Sequence, residues 1–394
     1  MLQLCQELYK ILIANSAQGK FRLTFAPDQA GITERYFSVN EDQHIEIVCF
    51  KKTYISIFEE CHNYFFTNGY KNSKCKRNGL TMFQQITNEE PPLYQAPLDM
   101  NTYVATIGLL LTTPENKTAI NLYLDSVLYK LNDFSGLTNY KAAILQEEAT
   151  LVGRLLTSSN NKLNKSSSLW CLYRKLYLLL RDAAGTIDYI TIFVCSASRH
   201  FSNYYCWETV RWFYDVVPTE LAKMELFSAT KIFCLQNTRD SSSWSALAYM
   251  ICQKKAKIDF NWHDSIRLQN SLKCGLNFRQ IPPGFDVDIE GVACDIAHSI
   301  NTLTIQDWPP FLCLLSALNA LPKNGTLSFL TSWKEEVQAF ETVCGPVTFK
   351  RRNPIVPINV SNDLMLFRKS KNVGFKKRFL DCLPSQSCKT DSNC

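Results

Sequence analysis

Apolar and polar residues follow two patterns of spacing along the chain, one typical of helices and one typical of strands, and the first 160 residues contain both. Apolar residues at three- and four-residue spacing predict an amphipathic N-terminal helix and several later helices. Those later helices are predicted over residues 107–111, 120–131 and 142–156. Short runs rich in β-branched and aromatic residues predict strands. The strands are predicted over residues 21–25, 44–50 and 53–58. We therefore expect an α+β region over residues 1–160, with a polar linker or exposed loop over 157–168.

After the linker, short apolar runs alternate with helical segments. Helices are predicted over residues 169–181, 201–216, 243–253, 309–321 and 334–343. Strands are predicted over residues 189–195, 231–235, 257–261, 291–295, 326–330, 347–350 and 363–368, with a Pro- and Gly-rich loop at 281–284. Strands separated by helices of this length form a mostly parallel sheet through right-handed crossovers, and the last two strands would form an antiparallel edge pair. This pattern predicts a Rossmann-like α/β domain over residues 168–370, followed by a basic, Cys-containing tail over 371–394.

Composition narrows the class of protein. The chain has 394 residues, of which 46% are hydrophobic and 20% are charged, as in a soluble globular protein with a sizeable core. No apolar stretch approaches the ~18 residues that a transmembrane helix needs, so we expect no membrane partner. The net charge of +6 is compatible with a polyanionic partner. The basic residues gather in clusters at 71–77, 350–352 and 369–378.

Cysteine usage indicates the redox environment. The chain has 16 cysteines. Without a signal peptide, the default is reduced thiols and a cytoplasmic or nuclear location. The cysteines of the polar tail lack a nearby His, so we predict no metal site. A composition with much Asn, Ser and Cys but little Gly suggests a viral chain in an infected host cell.

A resemblance appears in the last third of the chain. Residues 318–330 predict a helix, a turn at Asn324-Gly325 and a strand, and residues 334–370 add a helix, a strand, a basic Pro-containing stretch and a Ser-x-Asp before a final strand. This order resembles the end of the FtsJ/RrmJ family of RNA ribose 2′-O-methyltransferases, which includes viral mRNA cap methyltransferases. The resemblance implies a methyltransferase fold with S-adenosylmethionine as cofactor and RNA as partner.

The resemblance also implies a catalytic set. That family uses a Lys-Asp-Lys-Glu tetrad, in which a lysine of depressed pKa takes the proton of the ribose hydroxyl. Aligned by order and spacing, the corresponding residues are Lys175, Asp295, Lys334 and Asp363.

The segment after the strand predicted over 189–195 resembles the family's cofactor turn, Gly-Ala-Ala-Pro-Gly-Gly-Phe-Ser. The implied cofactor-binding residues are Cys195, Ser196, Ala197, Ser198, Arg199, His200 and Phe201, with Asp264 near the adenine. Arg199 and His200 replace two glycines, whose lack of Cβ lets a ligand approach the backbone. We therefore predict that the turn no longer cradles the cofactor.

The implied RNA-binding residues are Lys350, Arg351 and Arg352, with Trp333 as a base-stacking ring. Three functions stay open from the sequence. The first is a non-catalytic, RNA-binding subunit with a degenerate methyltransferase fold. The second is an active RNA 2′-O-methyltransferase, and the third is a protein-interaction scaffold.

Overall fold

The structure is a computed structural model that describes residues 2–13, 20–31, 35–41, 44–65, 100–133, 138–272, 285–321, 327–356 and 363–383. The basic cluster at 71–77, the loop at 281–284 and residues 384–394 of the tail lie outside the described residues. The chain divides into two compact units, which are described separately. Unit 1 comprises Met1–Thr209 and Ser265–Phe278, and unit 2 comprises Val210–Asp264 and Arg279–Cys394.

Unit 1 contains a small sheet and a set of helices. Its elements are α1 (Gln3–Ile13), β1 (Lys20–Ala26), β2 (Tyr36–Glu41), β3 (His44–Phe50), α2 (Lys51–Tyr64), α3 (Met100–Thr112), α4 (Lys117–Asp133), α5 (Thr138–Leu156), α6 (Asn161–Asn164), α7 (Ser167–Asp182) and α8 (Tyr189–Arg199). The sheet has the order β1-β3-β2, with β1 parallel and β2 antiparallel to the central β3. The strands predicted over 21–25 and 44–50 and the four helices predicted before residue 157 are confirmed.

Two predictions for the first 168 residues are wrong. Residues 53–58 lie in α2, where Thr53, Ile57 and Cys61 are buried at the four-residue spacing of a helix. The segment 157–168 is not an exposed linker throughout, because the Asn164 side chain is 1% exposed. Its Nδ2 donates to the Leu156 carbonyl over 2.9 Å, which fixes the segment in the interior of the unit.

Unit 2 is built almost entirely from helices in its described part. The boundary helices are α9 (Tyr204–Val216) and α12 (Lys255–Leu272), each of which has residues in both units. The other elements are α10 (Glu220–Gln236), α11 (Ser241–Cys252), α13 (Ile289–Thr302), α14 (Trp308–Ala320), α15 (Ser328–Cys344), β4 (Thr348–Lys350), β5 (Asn353–Ile355) and α16 (Leu364–Asp381).

The predicted Rossmann-like sheet is wrong. The segments predicted as strands over 189–195, 231–235, 257–261, 291–295 and 363–368 are helical, apart from the capping residue Asp363. The strand predicted over 326–330 is also wrong, because its residues from Ser328 onward lie in α15. Short apolar runs suit a buried helix as well as a buried strand, and preceding polar residues decide between them. Asp188, Asp288 and Asp363 are the N-caps of α8, α13 and α16. Their side chains accept hydrogen bonds from backbone N–H groups in the first turn of each helix. The predicted strand at 347–350 is confirmed as β4.

The predicted helices of this half of the chain are confirmed over 169–181, 243–253 and 309–321, within a residue or two at their ends. The helix predicted over 334–343 is confirmed as part of α15, which begins six residues earlier, at Ser328. The helix predicted over 201–216 begins only at Tyr204. Within the described part of the chain, none of the helices has the length and hydropathy needed to cross a membrane.

Candidate functional site

The most unusual backbone of unit 2 is the turn between β4 and β5. The two strands pair antiparallel, with Lys350 opposite Asn353. The two residues between them, Arg351 and Arg352, have φ values of +48° and +72°. Positive φ at both central positions is the requirement of a type I′ turn, which normally takes Asn-Gly or Asp-Gly. We call Lys350, Arg351 and Arg352 the basic hairpin.

The basic hairpin rests on α16 at two points. A Cβ at Gly374 would lie 2.3 Å from Cβ of Pro354, so only glycine lets β5 approach the helix this closely. Further along α16, Nη1 of Arg378 donates a hydrogen bond of 2.7 Å to the Arg352 carbonyl. The Arg378 guanidinium also lies 3.7 Å from the ring centroid of Trp308, a cation–π contact that holds it in place.

The lysines that precede Arg378 are neutralised by α15. Nζ of Lys376 lies 2.6 Å from Oε2 of Glu336, and Nζ of Lys377 lies 2.5 Å from Oε1 of Glu341. Burial lowers the pKa of Lys376, while the Glu336 carboxylate opposes that shift. The hydrogen bond from Lys377 lowers the pKa of Glu341. These lysines therefore join helices rather than face a partner.

The basic hairpin differs from them in exposure and pairing. Its three side chains are exposed, and none forms an ion pair within the described part of the chain. A surface depression of about 490 Å³ is lined by Lys350 and Arg351 together with Asn353, Pro354 and Ile355. Residues 345–383 hold nine Lys or Arg and two Asp, a net charge of +7, whereas the whole chain carries +6. The positive charge of the protein is thus concentrated in this region.

The four residues of the expected catalytic set have different surroundings. Lys175 lies on α7 in unit 1, half-buried. In unit 2, Asp295 forms an ion pair with Lys231 of α10, and Asp363 accepts hydrogen bonds of 2.8 and 3.1 Å from two backbone N–H groups of α16. Lys334 is exposed on α15. Among the described residues, the three in unit 2 make no hydrogen bond or ion pair with one another.

The segment expected to hold the cofactor is helical. Residues 195–199 form the last turns of α8, and His200 ends that helix. Ser196 and Ala197 are buried, the Ser198 hydroxyl donates to the Val194 carbonyl over 2.8 Å, and Phe201 is 63% exposed. Cys195 and Arg199 are half-buried, and Asp264 lies on α12. The argument for S-adenosylmethionine at this segment required a strand-to-helix turn, and the structure has no such turn here.

The expected stacking role of Trp333 is wrong. Its side chain is 0% exposed, and Nε1 donates to Oδ1 of Asn301 over 2.8 Å. The ring packs against the rings of Phe311 and Phe379, with centroid distances of 5.8 and 5.3 Å. It is therefore part of the core beneath α16 and cannot contact a base.

Sequence reasoning found the cations of the hairpin but missed what positions them. Arg378 and Gly374 were not singled out, although both fix the hairpin on α16. A signal was present in the sequence, because four polar residues, Lys-Arg-Arg-Asn, separate short apolar runs and are followed by Pro354.

A second polar cluster lies in the interior of unit 2. Asp215 is 2% exposed and accepts hydrogen bonds from Tyr249 and, over 2.6 Å, from Asn261. Burial raises the pKa of Asp215 and lowers the pKa of Lys223, which is 4% exposed. The hydrogen bonds of Asp215 come from neighbouring helices, so we assign the cluster to helix packing.

Comparison with known proteins identifies the family. The model of the ECM9 N-terminal domain matches residues 1–157, that of the ECM9 middle domain residues 169–272, and that of the ECM9 C-terminal domain residues 289–392. The chain is also 38% identical to Protein ECM9 of Saccharomyces cerevisiae over 397 residues, which covers 100% of this chain and 99% of the yeast protein.

These matches overturn the FtsJ/RrmJ resemblance, the methyltransferase function and the viral capping interpretation drawn from the sequence. The basic hairpin lies within the region matched by the C-terminal domain model. Because the similarity extends over the full length of the yeast relative, the chain belongs to the ECM9 family.

Proposed function

We propose that this protein is a binding protein that attaches to an anionic partner through the basic hairpin. The observation that carries the proposal is the pair of exposed arginines in left-handed backbone at the tip of the hairpin. Residues held in such conformations cost stability and cluster where a ligand is bound. Guanidinium groups bind phosphate through paired N–H donors, so phosphate is the anion that this geometry favours.

RNA is the phosphate polymer that we propose as partner, by contacts to its backbone alone. Trp333, the ring predicted from the sequence to stack on bases, is buried and offers no stacking surface. A site made of cations alone binds phosphates without reading sequence. We therefore expect affinity to depend strongly on salt and little on base composition. A cytoplasmic or nuclear location belongs to the same proposal and is tested by imaging a fluorescent fusion.

The test is a fluorescence-anisotropy titration of the full chain with a labelled single-stranded RNA at several salt concentrations. For single strands, each phosphate contact contributes a slope of about −0.7 in log K against log salt. The variant Arg351→Gln/Arg352→Gln should therefore reduce the steepness of the slope by about 1.4.

The matched control removes two positive charges elsewhere in unit 2. Lys254 and Lys334 are both exposed, and Lys254→Gln/Lys334→Gln changes the net charge by the same amount. If the control weakens binding as much as the hairpin variant does, the interaction is a general charge effect and the proposed site is wrong. Absence of RNA binding at low salt by the folded full chain would remove RNA as the partner.

A further inference from the structure

Two cysteines from different helices of unit 1 meet in its core. Sγ of Cys5 on α1 and Sγ of Cys61 on α2 are 3.1 Å apart, and both side chains are 0% exposed. A disulfide bond requires a separation of about 2.05 Å, so the sulfur atoms need to approach by only about 1 Å.

The surrounding residues hold the two sulfur atoms together. The Glu60 carboxylate, next to Cys61, accepts hydrogen bonds from the backbone N–H groups of Leu4 and Cys5, over 3.2 and 2.9 Å. These contacts attach the first turn of α1 to α2 immediately beside the thiols.

A third helix closes the site. A Cβ at Gly108 of α3 would lie 2.3 Å from Sγ of Cys61 and 2.9 Å from Sγ of Cys5. Glycine in a helix interior is unfavourable relative to alanine. Here it provides the space that the pair of sulfur atoms occupies.

We propose that Cys5 and Cys61 are a redox pair that forms a disulfide bond between α1 and α2 when the glutathione pool becomes oxidised. One cysteine thiolate attacks glutathione disulfide, forms a mixed disulfide and releases one glutathione thiolate. The second cysteine thiolate then attacks the protein sulfur of that mixed disulfide and releases the other glutathione. The two protein thiols lose two protons and two electrons, and glutathione disulfide gains them as two thiols.

The closed structure sets the rate of this reaction. The hydrogen bond with Cys61, together with burial, holds the pKa of the Cys5 thiol well above its usual range. Thiol exchange proceeds from the thiolate, so it requires a transient opening of the terminal helix α1. Once α1 repacks, the disulfide is shielded from glutathione. We therefore expect slow oxidation that urea below the unfolding transition accelerates.

Tryptic mapping gives a direct test. The full chain is equilibrated with reduced and oxidised glutathione, alkylated in denaturant and digested. Cys5 is the only cysteine in residues 1–10, and Cys61 is the only cysteine in residues 53–71, so the cross-linked pair is unambiguous. We expect the 1–10/53–71 cross-link in more than half of the molecules at equal glutathione concentrations. No other cysteine pair should reach a tenth of that yield.

Variants distinguish an effect specific to the Cys5–Cys61 pair from an effect of any buried cysteine. A disulfide bond constrains the unfolded chain, so oxidation should raise the unfolding midpoint. Cys61→Ser should abolish both the cross-link and this rise, whereas Cys49→Ser should retain both. Cys49 is an equally buried cysteine of β3, which makes it a matched control. The proposal is overturned if the folded wild-type chain, checked by circular dichroism, yields both peptides with free cysteines at every glutathione ratio. The proposal is also overturned if Cys5 cross-links preferentially to another cysteine. Because the tryptic map is made on the wild-type chain, it tests the proposal even if Cys61→Ser does not fold.

Discussion

Replacing the two hairpin arginines by the residues that a type I′ turn prefers should stabilise the protein and weaken its anion binding. Arg351 and Arg352 hold φ values of +48° and +72°. The variant Arg351→Asn/Arg352→Gly places Asn, which tolerates left-handed backbone, and Gly, which adopts it freely, at these positions. The same change removes two exposed guanidinium groups. Stability and binding should therefore change in opposite directions.

The expected gain in stability follows from the backbone. An L-residue in left-handed backbone costs about 1–2 kcal/mol, so the two arginines together cost about 2–4 kcal/mol. Replacing both residues does not recover all of this cost. Glycine at position 352 loses more conformational entropy on folding, which destabilises the variant by about 0.5–1 kcal/mol, and asparagine at position 351 keeps part of the strain. A net gain of about 1 kcal/mol remains, which corresponds to about 2–4 °C in the unfolding midpoint of a unit of this size.

The assay combines urea unfolding with the RNA titration. Arg351→Gln/Arg352→Gln keeps the strain and removes the charge, so it should weaken RNA binding without a gain in stability. Arg351→Lys/Arg352→Lys keeps both the charge and the strain, so its stability should equal that of the wild type. A loss of stability in the Asn-Gly variant would refute the strain argument. Unchanged RNA affinity in both variants that lack the charge would refute the site.

Three further predictions concern the packing around the site and the capping of α8. Gly374→Ala should lower the free energy of unfolding by about 1–3 kcal/mol in urea titrations, because its Cβ would meet Pro354 at 2.3 Å. The contribution of Glu341 to stability should be fully present above the pKa of this carboxyl in the unfolded chain. It should be lost as pH falls through the lower folded pKa that Lys377 imposes, and Glu341→Gln should flatten that part of the profile. Asp188→Ala should cost about 1 kcal/mol in thermal unfolding, because it removes the N-cap of α8; an unchanged midpoint would contradict the capping argument.

Helices with a clear period were predictable from the sequence. Residues 169–181 repeat apolar positions at three- and four-residue spacing, and α7 covers them. The strand at 44–50 was predictable for a different reason. It alternates polar and apolar residues at its start, and β3 has the same bounds. In both segments the local pattern and the burial in the folded unit agree, so local reasoning sufficed.

The predicted parallel sheet failed where an apolar run was cut out of a longer helical period. In α13 the buried residues Val292, Ala293, Ile296, Ala297 and Ile300 follow a helical spacing. A window of five residues contains too little of this period to distinguish a helix from a buried strand. Once several such windows were taken as strands, their order reproduced a Rossmann-like alternation. The family resemblance was then built on that order rather than on any motif.

The candidate site could be predicted only in part, because its cations have different roles that the sequence does not distinguish. Lys376 and Lys377 form ion pairs with glutamates of α15, and Arg378 donates a hydrogen bond to the hairpin backbone at the Arg352 carbonyl. Arg351 and Arg352 stand exposed in backbone that conflicts with their own preferences. A conflict between local preference and structure is expected at functional positions. At a turn without a function, a pair of residues such as Asn-Gly would relieve the backbone strain. The hairpin tip is therefore where we expect substitution to increase stability and to weaken binding.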